Sequence, residues 1–400
     1  MRSPTEPVTL MEPMLPAEGS QLLEDLAADL IARNSTLNAQ VPKTVAARIG
    51  DLVRAINCYY SNLIEGHHTH LRDINRALVN DFSTQPEKRF LQLEAKAHIE
   101  VQQLIDKQEE AVKVVSADYL RWIHGEFCNR LPEELLRLKS IKTENSVAVI
   151  PGKFRTGDVM VGRHIPISAV AIPRFLRRFE EAYNPDRLSK VRQVIAIAAS
   201  HHRLLWIHPF YDGNGRVARL FSHPFLKQIG VGSSLWSVSR GLARKTKEYK
   251  PLLMQADGSR WNDLDGRGNL TARGLREFCK FFLEVCIDQV DFMRSLLEPT
   301  QLLARIELYV EEEIRAKRLL KGSFPLLKEA LLMGSFTRGK AAAIAGYKER
   351  QARSVLNSLL KAGLLVSDTP KGAVRLDFPV DVVDRYFPKL YSPVISNTVD

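Results

Sequence analysis

Over 186–207 the chain is apolar along nearly its whole length, with Val191, Val194, Ile195, Ile197, Ala198, Leu204, Leu205 and Trp206 at helical spacing. It then runs directly into His208-Pro-Phe-Tyr-Asp-Gly-Asn-Gly-Arg-Val-Ala-Arg219. A helix that is hydrophobic nearly all round belongs inside a core. The fold must therefore surround it while leaving the loop at its end accessible. That loop gathers an imidazole, a carboxylate, an amide between two glycines and two guanidinium groups. Gly213 and Gly215 can take backbone angles closed to other residues, so successive N–H groups can turn inward, and the helix start behind them adds a positive dipole end. Arg216 and Arg219 are three residues apart and project from neighbouring positions, so both can reach one polyphosphate. The stretch reads as a phosphate site beside a base.

Most other segments are also helical by periodicity. Apolar and polar residues alternate at helical spacing over 21–32, 71–80, 87–110 and 117–128. Over 44–63, Val45, Ile49, Leu52, Val53, Ile56, Tyr60 and Leu63 share one face, as in a helix that docks through it. The expected fold is mainly α. One stretch departs from this pattern: Gly152, Gly157, Gly162 and Pro166 punctuate the run Val159-Met160-Val161, and 153–167 reads as containing half of a β-hairpin. Pro173 leads into a helix whose Arg174, Arg177 and Arg178 suit a solvated face. The segment 255–271 reads as a loop, and 272–297 as the helix that closes this part of the chain.

The stretch 208–219 resembles the core motif of the Fic family, H-x-F-x-[DE]-G-N-G-R-x-x-R, with every defined position filled, and His201-His-Arg-Leu-Leu-Trp-Ile207 resembles the apolar helix end before it. The kinase-like branch of that family carries Lys where this chain has Gly215. The resemblance implies a Fic-type helical bundle that transfers a nucleotide, usually AMP from ATP, to a Ser, Thr or Tyr hydroxyl of another protein. The residues suit that chemistry. A hydroxyl attacks poorly until its proton is accepted, and an unperturbed imidazole titrates near neutrality, which makes His208 the base. Mg²⁺ is commonly held by one carboxylate plus phosphates, and Asp212 would be that carboxylate. Asn214 with the Gly213 and Gly215 amides would hold the transferred phosphate, Arg216 the neighbouring one and Arg219 the γ-phosphate, while a buried Phe210 anchors the loop. By resemblance, Tyr249 lies near the adenosine, and 153–167 is a flap that pairs with the backbone of a target protein.

Ser61-Asn-Leu-Ile-Glu65-Gly66 matches [ST]-x-x-x-E-[GN], an inhibitory motif found N-terminal to the core in one class of the family, although Glu-Gly is also an ordinary helix stop. By resemblance Glu65 pairs with Arg219 and occupies the guanidinium that would hold the γ-phosphate. The same carboxylate could instead position a water, so that the site removes AMP.

With 400 residues, two or three domains are expected. No uninterrupted apolar span reaches membrane length. Residues 1–20, with Pro4, Pro7, Pro13, Pro16 and no apolar h-region, read as a flexible lead-in rather than a signal peptide, so a cytoplasmic protein without a membrane partner is expected. Cys58, Cys128, Cys279 and Cys286 are scattered and expected to be reduced. His67-His68-Thr-His70 and His201-His202 have no thiol nearby and read as solvated or hydrogen-bonded histidines rather than transition-metal ligands. The net charge of +11 calls for an acidic partner: nucleotide, nucleic acid or acidic protein.

The segment 320–378 holds ten Lys and Arg against four Asp and Glu, a net +6 that is over half the chain's total. Short helices over 325–332 and 338–345, a longer one over 348–361 with Ala352, Val355, Leu356, Leu359 and Leu360 inward, and strands over 364–367 and 373–377 flanking Thr369-Pro-Lys-Gly372 follow in order. This resembles the winged-helix modules appended to many bacterial Fic proteins. Lys348, Arg350, Gln351, Arg353 and Ser354 would face a DNA groove, with Lys371 and Arg375 on the wing. Such modules also serve as dimer or docking elements, so a homodimer is a further possibility. The organisation expected is a lead-in (1–20), a helical region with the inhibitory helix (21–110), a Fic catalytic core with a small hairpin flap (111–298), a linking helix (299–319), a winged helix-turn-helix domain of α+β type (320–379) and a tail (380–400). Two readings rival an autoinhibited adenylyltransferase using ATP and Mg²⁺: removal of AMP at the same site, and a DNA-binding regulator with a nucleotide-sensing site.

Overall fold

The computed structural model describes residues 6–108, 112–139 and 146–391. The last residues of the expected helix 87–110 and of the tail 380–400 lie outside them. Sixteen α-helices and four short strands are formed among the described residues. In chain order they are α1 (Gln21–Gln40), α2 (Lys43–Ile64), α3 (Leu71–Leu78), α4 (Pro86–Lys107), α5 (Ala117–Cys128), β1 (Arg137–Lys139), β2 (Ser146–Ala148), α6 (Ile172–Tyr183), α7 (Lys190–Ile207), α8 (Asn214–Gln228), α9 (Val238–Arg244), α10 (Thr246–Ala256), α11 (Ala272–Leu296), α12 (Pro299–Arg315), α13 (Ser323–Met333), α14 (Ala341–Ala345), α15 (Glu349–Lys361), β3 (Leu365–Val366), β4 (Arg375–Leu376) and α16 (Val380–Tyr386). None of these helices is long and apolar enough to cross a membrane. The chain divides into one unit of 1–34, 57–233 and 237–289 and another of 35–56, 234–236 and 290–400.

In the first unit α7 is the central rod, buried at every position from 194 to 204. It packs on α6 and α8, while α5 packs on α4, α6 and α8. It starts at Lys190 rather than 186 because the Asn184 side chain captures the Asp186 N–H in a 3₁₀ turn, and Ser189 then caps the helix by accepting from the Arg192 N–H.

Of the expected flexible lead-in 1–20, residues 1–5 lie outside the described residues, and 6–16 are packed rather than loose. Met11 is fully buried, Tyr183 donates to the Met14 carbonyl at 2.6 Å, Arg203 to the Pro13 carbonyl at 2.8 Å, and Glu12 pairs with Arg178. Prolines narrow the conformations of a chain, and a buried Met contributes about 1.5–3 kcal/mol. The segment is a stiff strap, and two of the arginines expected on a solvated face, Arg174 and Arg178, hold it.

The flap also differs from expectation. Over 153–167 there is one isolated antiparallel bridge, Val161 to His164, in place of a strand at 159–161. Gly157 and Gly162 leave too few consecutive extended residues for a ladder, and the β1–β2 pair forms upstream instead.

In the second unit α12 packs on α13 and α16, and α13 on α14, α15 and β4. β3 and β4 pair antiparallel, with Phe336 bridged to Val374 beside them. Ala352, Val355, Leu356 and Leu359 of α15 are buried as expected, whereas Leu360, also expected inward, is half-buried. α16 was not anticipated: it buries Val382, Val383 and Tyr386, whose spacing is helical but whose run is short.

Candidate active site

The loop after α7 begins with a strained residue. His208 caps that helix at φ 50°, ψ 62°, a left-handed conformation costing a non-glycine residue on the order of 1–3 kcal/mol. Burial, with the positive charge of Arg155 behind it, pushes the His208 imidazole down to about 4, so it is neutral near pH 7. A ring N–H hydrogen-bonded to the Leu205 carbonyl orients it. Phe210 is fully buried and lies flat on His124, ring centroids 3.9 Å apart and planes 1° apart. His124 is itself fixed, accepting the Gly152 N–H at 3.0 Å. The Asn214 side chain closes the loop, its Oδ1 accepting from the Phe210 N–H at 3.0 Å and its Nδ2 donating to the Phe210 carbonyl at 2.9 Å. Gly213 takes the left-handed conformation as N-cap of α8, φ 77°, and Asp212 before it is exposed.

His208, Gly215, Arg219 and Tyr249 line a single cleft of about 1030 Å³. Lys250, the flap residues 161–165, Glu6 and Leu10 of the strap, and Glu65 are also among its walls. Tyr249 is buried, and its hydroxyl meets His201 Nε2 at 2.8 Å, with His201 Nδ1 in turn 2.8 Å from Ser222 Oγ. This histidine pair is buried hydrogen-bonding material: His202 Nε2 contacts the Leu253 carbonyl and Asp257.

The end of α2 also lines this cleft, through Ile64 and the following Glu65. Arg219, 3% exposed, donates to Ser61 Oγ at 2.9 Å, to the Ser61 carbonyl at 3.2 Å and to Glu65 Oε1 at 2.5 Å. Burial opposes charge on Glu65. The guanidinium of Arg219, with Arg216 and Lys250 adding to it, outweighs that and holds the carboxyl below its usual range. A Cβ on Gly215 would stand 2.4 Å from Glu65 Oε1, so the motif needs glycine here for the carboxylate to approach. Gly66 has open space around it and is required for its backbone, φ 86°, which stops the helix.

Of the eight defined motif positions only His208, Gly215 and Arg219 line the cleft; Phe210, Asp212, Gly213, Asn214 and Arg216 do not. The amide of Asn214 is engaged in the loop itself, and Arg216 is buried beside α4, 3.1 Å from Glu94 Oε1 and over the Phe127 ring at 5.4 Å. Sequence reasoning missed Glu94, a carboxylate in an otherwise ordinary helical pattern, and Arg155. Arg155 is 2% exposed and donates to the His208, Gly157 and Ile167 carbonyls at 2.8, 3.0 and 2.6 Å. It ties both ends of the flap to His208. Three carbonyl acceptors far apart in sequence left no local signal.

Residues 114–226 match the model of the Fic/DOC family. The chain carries a Fic/DOC domain. It is similar to the protein adenylyltransferase Fic of Drosophila erecta and of Drosophila melanogaster, each 39% identical over 79 residues. That match covers 20% of this chain and only 16% of either relative. The fold resembles that of a Fic family protein from Desulfovibrio desulfuricans, with a TM-score of 0.52 at 16% identity over 91% of this chain and 98% of that one. It also resembles Fic-1 from C. elegans, with a TM-score of 0.52 at 17% identity over 70% of this chain and 74% of that one.

Proposed function

We infer that the Fic domain transfers AMP from ATP to a hydroxyl of a protein. The observation that carries this reading is one cleft holding the neutral imidazole of His208, Gly215 in the first turn of α8 and the cation Arg219. The hydroxyl oxygen attacks the α-phosphorus, its proton passes to the His208 imidazole, and the bond to the β-phosphate breaks to release pyrophosphate. The Gly213 and Gly215 amides face the transferred phosphate at the helix start, Arg219 meets the γ-phosphate, and Tyr249 packs near the adenosine. Asn214 and Arg216 support the loop and α8 rather than the phosphates directly. Among the described residues no three His, Cys, Asp or Glu converge on a metal site. The exposed Asp212 fits the other arrangement, Mg²⁺ held by one carboxylate and the phosphates, where the ion would neutralise phosphate charge.

Glu65 on Arg219 supports autoinhibition by Ser61, Glu65 and Gly66, since a γ-phosphate must displace that carboxylate. The target would dock on the flap, where Met160, Val161 and Ile165 are exposed. In the second unit, the order α13, Phe336, α14, α15, β3–β4 supports a winged helix, and exposed Lys348, Arg350, Gln351, Arg353 and Ser354 on one helix support DNA binding. Incubation with ATP labelled at the α-phosphate, beside ATP labelled at the γ-phosphate, tests the chemistry: label should enter protein from the first alone. Label from the γ-position would mean phosphoryl transfer and overturn the reading.

A further inference from the structure

The two motif arginines of α8 are both held by carboxylates from N-terminal helices, but only one of the pairs faces the cleft. Arg219 meets Glu65 there. Arg216 meets Glu94 of α4 away from it, both side chains 8% exposed. Glu94 has a second partner: its Oε2 lies 2.7 Å from His67 Nδ1, and Arg216 lies 3.3 Å from the same nitrogen. His67 is two residues beyond Glu65. Between them the chain wraps the end of α2, with the Gly66 N–H on the Leu63 carbonyl and the His67 N–H on the Asn62 carbonyl. The segment that carries the inhibitory carboxylate is thus moored at its far side to the motif helix that the carboxylate blocks.

We propose that His67 and Glu94 are positioning residues for Glu65: the bridge from Arg216 through Glu94 to His67 holds the end of α2 so that the carboxylate stays on Arg219. This rests on the reading of Glu65 as an inhibitor. None of the three bridging side chains lines the cleft, so the bridge can be cut without removing a group that faces the nucleotide. His67 is the place to cut it. Its side chain is 37% exposed, and removing it leaves Glu94 on Arg216, whereas removing Glu94 would strand a buried guanidinium.

The full chain is compared as wild type, His67→Ala, Glu65→Gly and the double variant. Transfer from α-labelled ATP and amide hydrogen exchange over 61–70 are the two readouts. In wild-type background His67→Ala should speed exchange of the 62–69 amides and raise basal transfer several-fold, by less than Glu65→Gly does. In the Glu65→Gly background it should leave transfer unchanged, because there is no carboxylate left to position; contacts that act through one another are non-additive. A merely structural His67 would instead lower transfer by the same factor in both backgrounds, and that result overturns the proposal. Unchanged exchange over 62–69 overturns it as well. If Glu65→Gly itself fails to raise transfer, the inhibitory reading is the one that falls, and faster exchange over 62–69 in His67→Ala still upholds the mooring.

Discussion

Arg155, Arg203, Arg216, Arg219 and Arg240 of the first unit are each at most 7% exposed, whereas Lys348, Arg350, Arg353 and Lys371 of the second lie open to solvent. The buried group is held by fixed partners: carbonyls for Arg155 and Arg203, Gln289 for Arg240, Glu94 and Glu65 for the motif pair. A buried guanidinium acts on a ligand only where that ligand takes over a partner's place, through a strong and weakly screened contact. Exposed cations act at a distance, are screened by salt, and sum over many phosphates. On the proposed function, the same charge would therefore serve a small anion at one address in one unit and a polyanion surface in the other, and the two units should fail in different ways.

The comparison breaks most sharply at the base. His208→Ala should lose about two to four orders of magnitude in transfer, the scale of general-base catalysis, while ATP with Mg²⁺ still binds, since the phosphate groups remain. Single-turnover transfer beside nucleotide binding checks both halves. Equal transfer by the two proteins removes His208 from the chemistry.

The exposed side of the comparison is probed with salt. Four phosphate contacts by Arg350, Arg353, Lys371 and Arg375 should cost roughly 100-fold in duplex DNA affinity between 50 and 200 mM salt, at about 0.9 counterion per phosphate. Replacing Lys371 and Arg375 should flatten that slope for every sequence. Arg375 should count for less than the other three, since it already pairs with Asp368. Failure of 320–391 to bind DNA even at low salt would leave the second unit as a docking element.

Releasing one buried cation should have a smaller effect. Glu65→Gly frees Arg219 and should raise transfer about tenfold, a release of roughly 1.4 kcal/mol, and adding Arg219→Ala should abolish the gain. A variant that gains nothing in transfer but no longer removes AMP from a modified protein would reverse the assignment of Glu65 from inhibitor to water-positioning group.

The sequence was most legible where local pattern and final contact coincide. Gly213 and Gly66 could be read from backbone demands alone, whereas Gly215 lies within α8 and is needed for the room it leaves Glu65 rather than for a special backbone angle. The helix α5 spans its predicted residues, with Ser116 capping its start, Oγ accepting from the Tyr119 N–H at 3.1 Å. Ser61, Glu65 and Arg219 meet as the motif implied. Legibility failed where one residue's partners are scattered. Arg216 has the spacing of a phosphate ligand, yet it points to Glu94 because burial beside Phe127 demands a fixed anion, and no periodicity announces which carboxylate that is. The strap failed for another reason: proline-rich sequence signals the absence of helix, and nothing in composition separates a stiff packed segment from a loose one.

The smallest effect sharpens the comparison further, because it asks what the buried charges do to the base itself. An imidazole at its ordinary 6.5 would be mostly protonated at pH 5.5, and transfer would fall about eightfold between pH 7 and 5.5. Here burial, and then Arg155, hold His208 near 4. Because the value is lowered, the neutral, proton-accepting form persists as pH falls and is lost only through pH 4, so kcat/KM should change by less than about twofold over the same interval. Measuring kcat/KM in the Glu65→Gly background keeps the Glu65 carboxylate out of the profile, and the folded state at each pH can be followed by circular dichroism. A limb near 6.5 in a folded protein would mean that His208 is hydrated in solution and feels Arg155 no more than an exposed base would, and the contrast between buried and exposed cations would not extend to the catalytic group.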